Sequence, residues 1–494
     1  MGRNVAGSDV QRKRYTGRVT RIGQQLRRRF GDGANDEANP APPGEPAART
    51  PDADGEPGTA PAASSRRPTP ADSAVRGDER QDVLERLRRR IAALDKRWKQ
   101  PTDETPVATR RVAAQEALPG RLVDTPQGRV RVIEETVRRD AGHGRYRVGD
   151  FADDPARLEP LHLLYRVRTP PDPERLVFLD TETTGLAGGA GTLPFLVGLA
   201  WLDGGDLKVE QLFMDHPRQE PALVARLRER LGRFDHAVTY NGRAFDIPLL
   251  QNRFVLHRTP WPNLETALDL LPGARRLHRR HLDDRSLGSI ERNVLGFHRE
   301  DDVPGSEIPG IYHRFLLTGR PAGLAEVIRH NAWDVVALAA LLGLQARLLA
   351  LPEVEHGLDP GVDLALGELR YARGDLAGAI RHLQRAVERS AAGEPRPDPE
   401  GVWAISLVWL ARAQRRSGAP EASAASWHRL LERLPDDGRA HLGLAKFHEH
   451  RTRDFALAER HARAAAAAGF EAGEIGERRL ARIREKRAAA PGTG

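Results

Sequence analysis

The segment Arg175 to Gly185, RLVFLDTETTG, narrows the possible folds more than any other stretch: a short apolar strand runs directly into two carboxylates two residues apart. Side chains at i and i+2 of a strand stand on one face, so Asp180 and Glu182 point the same way. Two acids held that close repel unless a cation or a proton lies between them. A divalent metal site is the first expectation. The plain alternative is a strand-ending Asp followed by a solvated turn Glu.

Two later stretches bear on that choice. In His236 to Leu250, HAVTYNGRAFDIPLL, a second strand-like run ends at Asn241-Gly242 and a helix opens, with Asp246 in its first turn or two. From Leu324 to Leu349 the apolar positions Val327, Val335, Leu338, Leu341 and Leu342 mark a long helix. His330 and Asp334 are four apart on it and therefore neighbours on one face. The order is a strand with D-x-E, then N-G-x-x-F-D, then H-x-x-x-D on a late helix.

That ordered set resembles the DEDD exonuclease group of the ribonuclease H-like superfamily. Between its second and third motifs the chain is similar to the bacterial YprB-type family, through Ala274-Arg275-Arg276, Ser286-Leu287-Gly288-Ser289-Ile290-Glu291 and Asp302-Val303-Pro304-Gly305. The resemblance covers roughly residues 120 to 350. It implies two ions, Mg²⁺ or Mn²⁺, on Asp180, Glu182, Asp246 and Asp334, hard cations that prefer oxygen ligands. It also implies Asp180 as the bridging ligand, with Thr183, Thr184 and Gly185 against the terminal nucleotide. Asn241 would orient the second motif or the substrate, an ordinary turn being the alternative. His330 departs from the simplest family pattern, since it combines the histidine of one DEDD subgroup with the spacing of the tyrosine in the other. Its imidazole is a candidate acceptor for a proton from the attacking water, and Asn331 is a second polar candidate beside it.

The pattern around these motifs predicts a mixed sheet. Apolar runs at Leu193 to Leu202 and Leu207 to Phe213 are joined by Asp203-Gly204-Gly205-Asp206, a hairpin signal. A helix from Glu220 to Leu231, a strand from Ala237 to Tyr240, a helix from Phe245 to Leu256 and a short strand near Ala267 to Leu271 complete the order β-β-β-α-β-α-β-α. An α/β ribonuclease H-like fold, a mixed sheet with helices on both faces, has that order. The segment Arg275 to Arg285, RRLHRRHLDDR, concentrates basic groups in the same domain. Arg275 and Arg276 head the candidates for phosphate contact, and a solvated, partly ion-paired helix face is the competitor. His278 and His281 lack a third ligand at suitable spacing for a transition-metal site.

At 494 residues the chain exceeds one ordinary core. Residues 1–105 form a basic and Pro-rich N-terminal region, expected to be disordered over 35–74, where large apolar side chains are almost absent. Within it Asp78 to Lys99 carries an a/d stripe, Leu84, Leu87, Ile91, Leu94 and Trp98, and reads as an amphipathic helix. Residues 106–170 make a small lead-in region in which 129–137 alternates as a strand, and 171–352 make the nuclease domain. Residues 358–486 read as helical repeats: Gly367, Ala379, Leu383 and Ala386, then Trp403, Leu410, Gly418, Trp427 and Pro435, then Leu442, Gly443, Ala458, Ala462 and Ala465 match tetratricopeptide positions. Plain antiparallel helical pairs are the alternative. Stacked pairs offer a concave surface for a protein or peptide partner, or a guide for nucleic acid.

The chain has no cysteine, which excludes disulfides, thiol nucleophiles and Cys-ligated metals. With no apolar h-region at its start and no unbroken run of eighteen or more apolar residues, it is expected to be cytoplasmic. The formal charge of +8 is small beside 77 basic and 69 acidic residues, so distribution matters more than total. Arg12, Lys13, Arg14, Arg18, Arg21, Arg27, Arg28 and Arg29 form an arm suited to phosphates, or a solvated tail. No G-x-x-x-x-G-K-[ST] loop is present, so ATP-driven work is not expected. The combined reading is a metal-dependent 3′ to 5′ exonuclease acting on single-stranded RNA or DNA. The alternatives are a structure-selective endonuclease with the same metal site, and an inactive nucleic-acid-binding scaffold.

Overall fold

The computed structural model describes residues 116–489 apart from 168, 186–190, 351–357, 392–400 and 472, together with residues 106, 109 and 113. The basic arm at 12–29, the linker expected at 35–74 and the helix expected at 78–99 lie outside the described residues. Nine strands follow in chain order among those described: β1 (Arg121–Thr125), β2 (Gly128–Val137), β3 (Gly142–His143), β4 (Tyr146–Arg147), β5 (Leu176–Thr183), β6 (Pro194–Asp203), β7 (Asp206–Phe213), β8 (His236–Thr239) and β9 (Glu265–Asp269). Seven of them form one mixed sheet in the order β1-β2-β7-β6-β5-β8-β9, and β3 with β4 makes a small ribbon. The strand expected at 129–137 is β2, and it pairs antiparallel with β7. The stretch 121–137 therefore lengthens one edge of the same sheet.

The motif strand β5 lies inside this sheet, antiparallel to β6 and parallel to β8. Its first four residues are fully buried, as a strand covered on both faces requires. The β6–β7 hairpin turns on Gly204 and Gly205, with φ of 61° and 90°. A two-residue connection of this hand needs left-handed backbone at both positions, which glycine adopts without steric cost.

Helices cover the two faces: α1 (Glu220–Leu231), α2 (Asp246–Leu256), α3 (Leu270–His278), α4 (Leu287–Ile290), α5 (Ile308–Thr318) and α6 (Leu324–Ala350). The alternation of β5 decides which helix meets which residue. Val177 and Leu179 face a core shared with Ile247, Leu250 and Phe254 of α2. Leu176 and Phe178 face the other core, with Val335, Leu338 and Leu342 of α6. Asp180 and Glu182 continue the row of Leu176 and Phe178, so they emerge on the α6 side. Helix α6 is long and apolar enough to cross a membrane by length and composition, but 94% of its most apolar stretch is buried inside the protein. It is the central core helix, packed between the sheet and the short 3₁₀ segments at 150–163.

The C-terminal part is a run of helices, α7 (Pro360–Arg373), α8 (Leu376–Ala391), α9 (Val402–Arg416), α10 (Pro420–Arg433), α11 (Gly438–Phe447), α12 (Phe455–Ala467) and α13 (Glu474–Ala489), each packed on the next. Small residues sit where these helices approach closely. A Cβ on Gly367 would meet Leu383 at 2.6 Å, and one on Gly443 would meet Trp427 at 2.4 Å. The helix α7 also packs on α3, where Arg279 and Arg280 both reach the buried Glu368 at 2.5 and 3.1 Å.

Leu338 is wholly buried on α6 in the middle of the larger core. Leu338→Ala is expected to cost about 3 kcal/mol of stability through lost burial and the cavity left behind. Chemical denaturation of the variant beside the parent checks it, and a change under about 1 kcal/mol would contradict this placement of α6.

Candidate active site

The carboxylates of the three motifs meet at the C-terminal end of β5. Asp180 and Glu182 come from the strand itself. Asp334 descends from α6 on the same face, and one turn earlier His330 places its Nε2 3.3 Å from Asp334 Oδ2 and 3.9 Å from Glu182 Oε1. Glu182, His330 and Asp334 are the group of ligand-type side chains, among the described residues, whose donor atoms all lie within 4.8 Å of one another. Asp246 opens α2 on the opposite face of β5. It reaches the strand by accepting a hydrogen bond from Thr181 Oγ1 at 2.5 Å, because Thr181 points to the face that Asp180 and Glu182 avoid. Two helices on opposite faces thus bring their acids to one strand end.

The electrostatics reflect this crowding. Burial pushes the Asp180 carboxyl well above the usual carboxylate range, and the charges of Asp334, Asp246 and Glu182 push it further. Burial raises Glu182 to about 8, with His330 opposing and Asp334 and Asp246 adding to the rise. Asp246 rises to about 6, chiefly through burial, against the hydrogen bond from Thr181. For His330 burial works against the charged ring, yet Asp334, the hydrogen bond to Asp302 and the charge of Glu182 outweigh it and raise the imidazole to about 9. Buried oxygens crowded in this way repel one another unless a cation or a proton lies between them, and hard cations prefer oxygen ligands. The donor set therefore fits a hard divalent cation.

Asn331, the second polar candidate of the sequence, helps hold this arrangement together with Gln211, Gly198 and Arg299, which were not singled out from the sequence. Asn331, buried beside His330, donates from Nδ2 to Asp180 Oδ2 at 2.9 Å. Its own Oδ1 accepts from Gln211 Nε2 at 2.9 Å, and Gln211 also donates to the Ile328 carbonyl at 2.8 Å. Room for Asn331 comes from Gly198, the β6 partner of Asp180, where a Cβ would lie 2.3 Å from Asn331 Oδ1. Arg299 donates to Asp334 Oδ1 at 2.5 Å, to Glu291 Oε2 at 2.6 Å and to Asp302 Oδ2 at 3.3 Å. Glu291 is shared with the buried His143, 2.7 Å away. Glu291 and Asp302 were visible as family motif positions, whereas Arg299 sits in a stretch with no periodicity to mark it.

The remaining expected residues divide. Asn241 adopts a left-handed φ of 64° at the corner between β8 and α2. Its backbone N–H donates to Asp269 Oδ1 at 2.7 Å, and that carboxylate also receives the N–H of Arg243 and of Leu271. Thr183 donates to the Gly185 carbonyl, and Thr184 Oγ1 accepts from the Leu193 N–H, so both threonines shape the end of the strand. Arg275 and Arg276 are exposed and half-buried on α3. No hydrogen bond or ion pair among the described residues joins them to the four carboxylates. His278 and His281 form a close pair, 3.3 Å apart, at the α7 contact, and burial holds His278 down to about 3.

The family model described as RNase_H superfamily matches residues 177–345, which span β5 to α6. The uncharacterized protein YprB of Bacillus subtilis (strain 168) is 33% identical over 287 residues, 57% of this chain and 67% of that protein. The chain belongs to the YprB-type ribonuclease H-like family. Membership in this superfamily points to a nuclease, and nucleases of this fold generally use divalent metals. Among solved structures, the crystal structure of the APC/C hetero-tetramer Cut9-Hcn1 overlaps 33% of this chain and 28% of that one, at 20% identity and a TM-score of 0.24. An overlap that slight has no bearing on fold or function.

The raised acids make the metal-free protein sensitive to pH. Glu182 keeps its proton in the folded state up to about 8, whereas an unfolded glutamate releases it near 4.3. Stability linked to this group is therefore complete below the unfolded value and is lost as pH rises towards 8. In EDTA at pH 8, Glu182→Gln is expected to raise stability by about 2 kcal/mol, with the gain vanishing near pH 4.5. Thermal melts of parent and variant across that range check both the sign and the window. Lower stability of the variant at pH 8 would contradict it.

Proposed function

We propose that this chain is a metal-dependent exonuclease of the DEDD type that hydrolyses phosphodiester bonds of single-stranded RNA or DNA from the 3′ end. The observation that carries the reading is the convergence of Asp180, Glu182, Asp246 and Asp334 on one strand end, with His330 Nε2 among them. Asp180, Glu182, Asp246 and Asp334 would hold the two ions. Bound ions in such a site neutralise phosphate oxygens, lower the pKa of water and stabilise the leaving alkoxide.

The protein's own groups supply the rest of the reading. With bound ions offsetting the charges of Glu182 and Asp334 that raise its ring, a neutral His330 would accept the proton of the attacking water at Nε2, and Asn331 fixes the orientation of Asp180. Phe245, next to Asp246, leaves 60% of its surface exposed. A large exposed aromatic beside a carboxylate cluster suits a stacked base, which every nucleotide can supply. Arg275 and Arg276 serve the phosphates further along the strand. We divide the chain into an N-terminal region of residues 1–105, a lead-in segment at 106–170, a nuclease domain at 171–352 and repeats of the tetratricopeptide type at 358–486 that hold a protein or peptide partner.

The test is cleavage of 5′-labelled single-stranded RNA and DNA in Mn²⁺ or Mg²⁺. The expected product is a ladder shortening from the 3′ end that EDTA abolishes. Asp180→Asn is expected to slow it by about a thousandfold. Internal cuts would replace the exonuclease by an endonuclease with the same site. Binding without cleavage in any of these ions would leave a scaffold.

A further inference from the structure

Asp302 lies outside every motif that defines the four carboxylates, yet it makes the shortest contact of the His330 ring. Its Oδ1 is 2.7 Å from His330 Nδ1. The same oxygen accepts the Val303 N–H at 2.9 Å, and Oδ2 accepts from Arg299 Nη1 at 3.3 Å. The loop bearing it is tied to α6 by Arg329, one residue before His330, which donates to the Asp301 carbonyl at 2.6 Å. Arg329 in turn lies over the Trp333 ring at 5.1 Å.

A carboxylate only accepts hydrogen bonds, so the short contact requires Nδ1 to carry a hydrogen. Arg299 Nη1 is also near this nitrogen, but at 3.4 Å, and it too is a donor. The nearer acceptor decides which nitrogen keeps its hydrogen when the ring is neutral. Nε2 is left as the nitrogen that faces Glu182 and Asp334. An orienting group on the far nitrogen is the recurrent way to aim the working nitrogen of an imidazole.

We propose that Asp302 is a positioning residue for His330, holding Nδ1–H so that Nε2 is presented to the Glu182 and Asp334 side of the site. The inference rests on the nuclease reading for its catalytic consequence, and its structural half is independent of it. Arg299 completes the brace. One guanidinium grips Asp302, which aims the histidine, and Asp334, the acid one helical turn away.

The experiment is a double-mutant cycle in the full chain with Mg²⁺ and labelled single-stranded substrate. Asp302→Ala is expected to lower kcat about 30-fold with KM within about twofold, and to have no further effect when His330 is already alanine. Asp302→Asn is expected to fall between the two, since its amide keeps one acceptor but sets a donor against either Val303 or Arg299. An equal loss in the His330→Ala background would overturn the proposal, because a merely structural residue acts with or without the ring. In parallel, ¹⁵N-histidine NMR of the Mg²⁺-saturated protein, with His330→Ala used for assignment, reads the ring directly. At a pH where the ring is neutral, a protonated Nδ1 with an unprotonated Nε2 is expected on His330, and the opposite tautomer would overturn the proposal. If the parent chain cleaves nothing, the nuclease reading fails while the NMR result still decides the role of Asp302.

Discussion

The structure depends on a repulsion that its fold does not relieve by itself. Four carboxylates converge on the end of one strand, where burial raises the proton affinity of Asp180, Glu182 and Asp246, and neighbouring acids add to the rise at Asp180 and Glu182. An ordinary core would have replaced some of them with neutral side chains, at a gain in stability. What keeps the cluster together is a shell of partners with fixed donors. Asn331 meets Asp180, Thr181 meets Asp246, and Arg299 meets Asp334. Glu182 has the least direct support: His330 Nε2 lies 3.9 Å away, and burial raises its carboxyl to about 8.

These partners are themselves placed by the sheet. Because β5 alternates, its even residues pass from Leu176 and Phe178 in the core to Asp180 and Glu182 at the end, on the face that α6 covers. The same alternation sends Thr181 to the α2 face, where it meets Asp246. Gly198 then admits Asn331 against the strand pair, and any side chain there would occupy the place of the amide. On the other side, Asp269 ends β9, caps α3 and holds the corner at Asn241, so one buried carboxylate sets the approach of α2. The site is thus built from strand register first and from helix docking second.

How much of this was legible in the sequence follows from the range of the interactions. The strands, the hairpin and the three motifs are local patterns with a period of two or 3.6, and each can be read from its own residues. Helices expected at Glu220 to Leu231 and from Leu324 lie where they were expected. The short strand read at Ala267 to Leu271 ends at Asp269 instead, because that side chain caps the helix that follows and stops the strand. Arg299, Gln211 and Gly198 were not legible. Each matters through a contact with a residue far along the chain, and none breaks the local pattern around it. The basic run at 275–285 shows the converse limit: it reads as a phosphate patch, yet Arg279 and Arg280 are committed to Glu368 of α7. A count of arginines does not separate charges facing solvent from those joining one part of the fold to the next.

The spacing of His330 from Asp334, which departs from both simple family patterns, has a physical reading in this geometry. Four residues along α6 equal about one turn, so the imidazole and the carboxylate point the same way and their atoms come within 3.3 Å. At that distance the ring needs a second anchor, because nothing on the helix stops it from turning its other nitrogen toward the acids. The loop after α4 supplies the anchor through Asp302, and Arg299 ties that loop to Asp334. Asp302, from outside the helix, holds the far nitrogen of this ring. The Asp302-Val303-Pro304-Gly305 stretch, conspicuous in the sequence but without a role there, is where that constraint enters the fold.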